Sequence, residues 1–182
     1  MKKVIHYRYS DSDIKKILKT LTIVVDSREQ KNKHITDYLL KKKVPYKVET
    51  LKTGDYACVI PKNDELGITR DIYLAARIER KAHIDEITGN LQKATRSAFE
   101  NELIRSKDIP FTLICEDKDG YEKMIKGDYR SDYDPLALLG TLNSFKAKYN
   151  FEIVYLDPKC TGNFIYYHFY YQAMHCLKQG LI

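Results

Sequence analysis

The stretch Asp71-Ile72-Tyr73-Leu74-Ala75-Ala76-Arg77-Ile78-Glu79-Arg80-Lys81 reads as a β-strand. Side chains on a strand alternate faces with period two. Ile72, Leu74, Ala76 and Ile78 take one face; Ala75, Arg77, Glu79 and Lys81 take the other. The apolar face has to be covered, so this strand belongs to a sheet with a layer packed on it. Glu79 and Lys81 then lie side by side, and Asp85 follows four residues on. A carboxylate next to an ammonium, with a further acid on a neighbouring strand, suits metal-dependent cleavage of a phosphodiester.

Moving outward, Leu21-Thr22-Ile23-Val24-Val25 is a continuous β-branched run and predicts a buried strand. It ends in Asp26-Ser27-Arg28-Glu29. A helix fits residues 31–43, with Ile35, Leu39 and Leu40 on one side and Pro45 closing it. Residues 46–51 alternate as a half-buried strand; Thr53-Gly54-Asp55 is a turn; residues 56–60 form another strand. Residues 61–67 are a polar loop before the strand at 71–80. Residues 83–106 are helical in character, with a break at Thr88-Gly89-Asn90 and a second segment over 95–107. Phe111-Thr112-Leu113-Ile114-Cys115 is a buried strand ending at Glu116, and 127–134 is a polar loop. Asp134-Pro135 opens a helix to about Tyr149, with Asp as cap and Pro at the first helical position. Residues 151–156 are a last strand and 161–178 a last helix, dense in aromatics. Strands alternating with helices give an α/β fold, a central mixed β-sheet flanked by helices. Residues 1–20 read as an N-terminal extension whose Ile14, Ile17 and Leu18 have helical spacing; residues 21–182 read as one domain.

The bulk numbers agree with a globular chain. There are 182 residues, enough for one domain with its own core, and 43% are hydrophobic. No apolar run approaches the roughly 20 residues of a membrane helix, and the charged start lacks a signal-length apolar stretch. A cytoplasmic protein that does not engage membranes is expected. Cys58, Cys115, Cys160 and Cys176 form no CxxC pair and read as small hydrophobes rather than a disulfide or zinc framework. A net charge of +6 permits a polyanionic partner without establishing one.

Acids fall at three strand ends or turns: Asp26 with Glu29, Asp55, and Glu79. Singly, each has an ordinary explanation. Asp26 can cap the next helix, Gly54-Asp55 can be a plain turn, and Glu79 can belong to a solvated run with Arg77, Arg80 and Lys81. Jointly they suit one sheet edge, where ligands of α/β sheets bind. Arg80 points opposite to Lys81 on its strand, so an ion pair with Asp85 or Glu29 is as natural as a ligand contact.

In order along the chain, Val25-Asp26-Ser27-Arg28-Glu29, Gly54-Asp55, Glu79-Arg80-Lys81 and Asp85 resemble the pattern of the XPF-type structure-selective endonuclease family, a restriction-endonuclease-like fold. Leu113-Ile114-Cys115-Glu116 resembles that family's next strand, which also ends in an acid. The resemblance covers about residues 21–178. It implies a metal-dependent endonuclease for branched or flapped DNA, with a catalytically inactive DNA-binding subunit as the alternative. It implies Asp26, Asp55 and Glu79 as ligands of Mg2+ or Mn2+, with Lys81 orienting or deprotonating the attacking water or stabilising the phosphate. Arg28, Glu29, Arg80 and Asp85 would support the site, and Arg96 would contact DNA. Lys93, Arg105 and His83 are read as surface or capping residues. The aromatics Phe164, Tyr166, Tyr167, Phe169, Tyr170 and Tyr171 are read as core and homodimer packing. The helix–hairpin–helix modules common in that family are not in this sequence, which resembles the free-standing bacterial or bacteriophage forms.

Overall fold

A computed structural model describes residues 9–182. The order of elements is α1 (Asp11–Thr20), β1 (Thr22–Asp26), α2 (Lys33–Lys41), β2 (Tyr46–Glu49), β3 (Tyr56–Ile60), β4 (Ile72–Tyr73), β5 (Arg77–Lys81), α3 (Ile84–Asn90), α4 (Arg96–Ser106), β6 (Phe111–Cys115), α5 (Gly120–Lys126), α6 (Pro135–Tyr149), β7 (Glu152–Tyr155) and α7 (Pro158–Gln179). The strands form one mixed sheet, ordered β2-β1-β3-β5-β6-β7, with β4 also paired to β3. The α/β fold with a central mixed sheet flanked by helices is the one expected.

β1 runs parallel to β2, and β5, β6 and β7 run parallel to one another. β3 is antiparallel to both β1 and β5. The carboxyl ends of β1, β5 and β6 therefore share an edge with the start of β3. That topology brings Asp26, Asp55, Lys81 and Glu116 to one side of the molecule.

Each sheet face carries its own core. One face supplies Ile23, Val25, Tyr56, Cys58, Ile78 and Ile114, packed against α1, α2 and α7. The other supplies Leu113 and Cys115 beneath α3 to α6, and Val24, Ala57 and Val59 near Leu51. Full burial of a side chain such as Ile17 or Phe169 contributes roughly 1.5–3 kcal/mol. The helix read inside the N-terminal extension is α1. Ser10 caps it by accepting from the Asp13 N–H, and Ile14, Ile17 and Leu18 are buried in the core of the first face. Residues 1–8 of the extension lie outside the described residues.

The structure departs most from the sequence reading in three places. The single strand expected over 71–80 is two strands, β4 and β5, because the chain changes partner. β4 pairs with the end of β3, whereas β5 meets β3 only at Tyr56↔Ile78 and otherwise lies along β6. In the break, the Arg77 guanidinium donates to the Leu74 and Ala76 carbonyls at 2.5 and 2.8 Å. The expected alternation survives the break, since Leu74, Ala76 and Ile78 are all buried. Thr88-Gly89-Asn90 is the last turn of α3 rather than the gap, which falls over 91–95. α5 has no counterpart in the sequence reading: seven residues with only Gly120 and Met124 buried carry too little period to read.

Candidate functional site

The Gly54-Asp55 turn is built into the sheet edge. Gly54 sits at φ +74°, and a Cβ there would stand 3.0 Å from the Ile78 carbonyl oxygen. Only glycine tolerates both the left-handed backbone and that approach. The Asp55 N–H donates to the Ile78 carbonyl at 2.8 Å, and the Asp55 carbonyl accepts from the Asp26 N–H at 2.8 Å. The carboxylate is aimed by a third bond, in which the Arg80 N–H donates to Asp55 Oδ2 at 2.8 Å.

Asp55 and Glu79 line a cleft of about 310 Å³, together with Lys81, Glu29, Arg80 and Glu86. Glu79 is buried, with 6% exposure, and its Oε1 accepts from Lys81 Nζ at 2.5 Å. Burial pushes the Asp55 carboxyl up to about 6; the Arg80 N–H opposes this and the Glu29 charge adds to it. Burial first, and then the Asp55 charge, push Glu79 up to about 8. Burial pulls the Lys81 ammonium down, but the Glu79 charge and hydrogen bond outweigh it and the net shift is upward. Lys81 therefore keeps its proton and compensates one carboxylate. Lys81 supplies one positive charge only, so burial and mutual repulsion keep the pair from holding two negative charges near neutral pH, and Glu102 on α4 adds to that repulsion.

Glu102 is a member of the site that the sequence reading does not name. Its Oε1 accepts from the Gly54 N–H at 3.2 Å, and its charge raises Asp55, Glu79 and Lys81 alike. It lies on a helix whose apolar period is weak, so no sequence signal marks it.

Among the described residues, no group of three or more His, Cys, Asp or Glu side chains is arranged to hold a metal ion. Asp55 and Glu79 line one cleft. Asp55 keeps Oδ1, and Glu79 keeps Oε2, outside any hydrogen bond. Mg2+ commonly uses one or two carboxylates and fills its shell with water and substrate oxygens, so this donor set fits it.

Asp26, the third expected ligand, has no oxygen to spare. Oδ1 accepts from the Arg28 N–H and Nε, each at 2.8 Å. Oδ2 accepts from Arg28 Nη2 at 2.9 Å and from the Leu51 N–H at 2.7 Å. Those donors, the Arg28 guanidinium foremost, lower its carboxyl to about 2. Arg28 Nη2 also donates to the Leu51 carbonyl at 2.8 Å. Asp26 and Arg28 thus clamp the segment leading into the Gly54-Asp55 turn.

Arg80 faces away from Glu79 and Lys81, as strand alternation requires, and its partner is Glu29. Arg80 Nη2 donates to Glu29 Oε1 and Nη1 to Glu116 Oε2, both at 2.6 Å. Glu116 Oε1 is 2.5 Å from Nε2 of His34, a residue that no motif in the sequence marks. Asp85 does not pair with Arg80. It accepts from the Arg130 N–H at 2.8 Å and stands 3.7 Å from His83 Nδ1. His83 occupies the N-cap position of α3 without a side-chain cap bond; Glu86 reaches back past it to accept from the Ala82 N–H at 3.0 Å. Arg96 lies over the Phe145 ring, 5.2 Å from its centroid. Neither it nor the exposed Lys93 and Arg105 lines the cleft.

On α7, Ile165, Phe169, Ala173 and Leu177 are core. Tyr167 and Tyr171 point outward beside a second and larger cleft, about 730 Å³, walled by Phe164 and His168 and containing no acid. The acids are gathered in the smaller cleft. No helix among the described residues is long and apolar enough to cross a membrane.

The model of the ERCC4 domain matches residues 25–168. No curated protein matches the chain. Among solved structures, XPF from Aeropyrum pernix is similar at 17% identity and a TM-score of 0.58, over 83% of this chain and 61% of that one. The same protein in complex with DNA is similar at 17% identity and a TM-score of 0.58, over 85% of this chain and 65% of that one. The chain thus spans less than two thirds of the structures it resembles, and at that identity the likeness speaks for the fold. The family match contains Asp26, Asp55, Glu79 and Lys81, and the chain belongs to the ERCC4 domain family.

Proposed function

We propose that the chain is a divalent-metal-dependent DNA endonuclease acting on branched or flapped DNA. The observation that carries this reading is a buried carboxylate pair, Asp55 and Glu79, sharing one cleft with a single ammonium, Lys81. Lys81 offers one positive charge to two carboxyls whose double ionisation is opposed by burial and repulsion, and a divalent cation in the cleft would let both ionise. Asp55 and Glu79 would hold Mg2+ or Mn2+. The bound ion supplies Lewis-acid stabilisation of phosphoryl oxygens and a more acidic water. Lys81, kept protonated by Glu79, donates toward the phosphate and offsets charge developing in the transition state. Its raised pKa favours this electrostatic role over proton abstraction. Arg80 aims Asp55 through its main-chain N–H, and the Asp26–Arg28 clamp fixes the turn from below.

XPF from Aeropyrum pernix has been seen with DNA, which supports a nucleic-acid substrate here, as does the net charge of +6. The outward aromatics of α7, with Tyr167 44% and Tyr171 56% exposed, are the surface we assign to a homodimer. Incubating the purified protein with a labelled DNA fork and Mg2+ or Mn2+ tests the activity. Nicking is expected with metal, and its loss is expected in Asp55→Ala and Lys81→Ala with unchanged circular dichroism. Cleavage surviving both substitutions sinks the site assignment. A folded wild type that binds the fork without nicking it points to a non-catalytic DNA-binding subunit. Sedimentation of wild type beside Tyr171→Glu tests the dimer.

A further inference from the structure

Behind the cleft lies a row of polar and charged side chains: His34 on α2, Glu116 after β6, Arg80 on β5, and Glu29 after β1. Glu116 and Arg80 are buried, at 6% and 8% exposure, and the Glu29 side chain is 11% exposed. One guanidinium serves two carboxylates, giving Nη1 to Glu116 and Nη2 to Glu29. Its Nε is buried without a hydrogen-bond partner. Arg80 therefore makes the paired-fork contact, the stronger geometry for guanidinium and carboxylate, with neither acid. What permits the division is His34, whose Nε2 lies 2.5 Å from the second oxygen of Glu116 and donates to it.

We propose that His34 is a positioning residue for the cleft, acting through Glu116 and Arg80 to keep Glu29 paired and away from Asp55 and Glu79. The proposal rests on the metal-site reading above. Without the His34 donor, Oε1 of buried Glu116 loses its partner, and the guanidinium that already gives Nη1 to Oε2 can supply Nη2 to it as well. Turning the guanidinium to present a fork to Glu116 takes Nη2 from Glu29. Glu29 lines the cleft and its charge already acts on Asp55. Released, it becomes one more uncompensated carboxylate beside the metal pair. Added carboxylate charge tightens cation binding, whereas general damage to the site weakens it. The sign of the change therefore separates positioning from mere loss of structure.

Two measurements test this. Calorimetric titration with Mn2+ should show His34→Ala binding the ion at least about threefold tighter than wild type. Its kcat for nicking should be lower by roughly tenfold, with KM for DNA unchanged. His34→Gln, whose amide N–H can donate to Glu116, should restore wild-type values. Unchanged or weaker Mn2+ binding in His34→Ala, or failure of His34→Gln to restore it, overturns the proposal. If His34→Ala does not fold, His34→Leu replaces it. Independently, a metal-free unfolding cycle over His34→Ala, Glu29→Gln and the double variant should give a coupling of about threefold or more in the unfolding constant. No hydrogen bond or ion pair joins His34 to Glu29, so additivity also overturns it. If wild type neither binds Mn2+ nor nicks, the active-site reading fails, while the cycle still decides whether His34 reaches Glu29.

Discussion

Replacing Asp55 by Asn should abolish nicking and raise metal-free stability, a combination that only a strained functional carboxylate gives. Asp55 is buried and pushed up to about 6 from an ordinary 3.8, so its ionised form is penalised in the folded state. At 1.36 kcal/mol per unit, that penalty approaches ~3 kcal/mol at pH 8. Its sign follows from proton linkage: the folded state holds this proton more tightly than the unfolded chain, so stability falls as pH rises from about 4 to above 6. At pH 5 about half the penalty remains. The side-chain amide of Asp55→Asn can still accept the Arg80 N–H but is a buried polar group, which costs about 1 kcal/mol. A net gain of about 2 kcal/mol raises the Tm of a chain this long by roughly 4–8 °C. Thermal melts by circular dichroism, in EDTA at pH 8 and pH 5 and again with 10 mM Mg2+, make the assay. Asp55→Asn should melt above wild type in EDTA at pH 8, with a smaller gap at pH 5. Added Mg2+ should lift wild type and leave the variant unmoved. A variant that melts lower than wild type at pH 8, with the same difference at pH 5, refutes the charge-strain argument.

Lys81→Ala should lower the nicking rate by about 10²–10³-fold, the scale of one lost transition-state donor, as read in single-turnover assays on a labelled fork. It also leaves Glu79 without a counter-charge, so metal-free Tm should fall more steeply above pH 7 than in wild type. Gly54→Ala should destabilise by about 1–3 kcal/mol in urea unfolding, because the turn is left-handed and a Cβ meets the Ile78 carbonyl at 3.0 Å. Asp26→Asn should leave Mn2+ affinity within a few-fold of wild type and reduce stability. The Asp26 contribution is present above about pH 4 and lost as pH falls through about 2; the linkage ceiling is ~2.4 kcal/mol, and exposed Arg28 lowers it to about 1–2 kcal/mol. Urea unfolding at pH 7 and pH 3 should show the gap narrowing at the lower pH.

The sheet was legible because its strands carry period-two or continuous apolar runs, and the start of α6 and the turn before β3 because Asp134-Pro135 and Gly54-Asp55 are local signals. The edge geometry was legible for the same reason: alternation puts Glu79 and Lys81 together and turns Arg80 away, while the choice of Glu29 over Asp85 as its partner came only with the structure. What escaped depends on partners far along the chain. His34 gains its meaning from Glu116, 82 residues on, and Glu102 from Gly54, 48 residues back. Helical spacing marks neither. The split of the 71–80 strand escaped because burial kept alternating through the break while the hydrogen-bond partner changed from β3 to β6.

Asp26 and Asp55 show how far residue type falls short of role. Both are aspartates at the same sheet edge, joined by a main-chain bond from one to the other, and the motif assigns a metal to both. Their carboxyls move in opposite directions, to about 2 and about 6. The difference is the supply of donors. Asp26 receives four hydrogen bonds, two of them from a guanidinium, and its charge is fully satisfied by the protein. Asp55 receives one side-chain-directed N–H, sits among Glu29, Glu79 and Glu102, and keeps an oxygen open. A carboxylate satisfied by its own fold has little to gain from a cation, whereas one left strained gains the whole of its unmet charge. The site is therefore defined less by where the acids stand in the motif than by which of them the fold declines to neutralise.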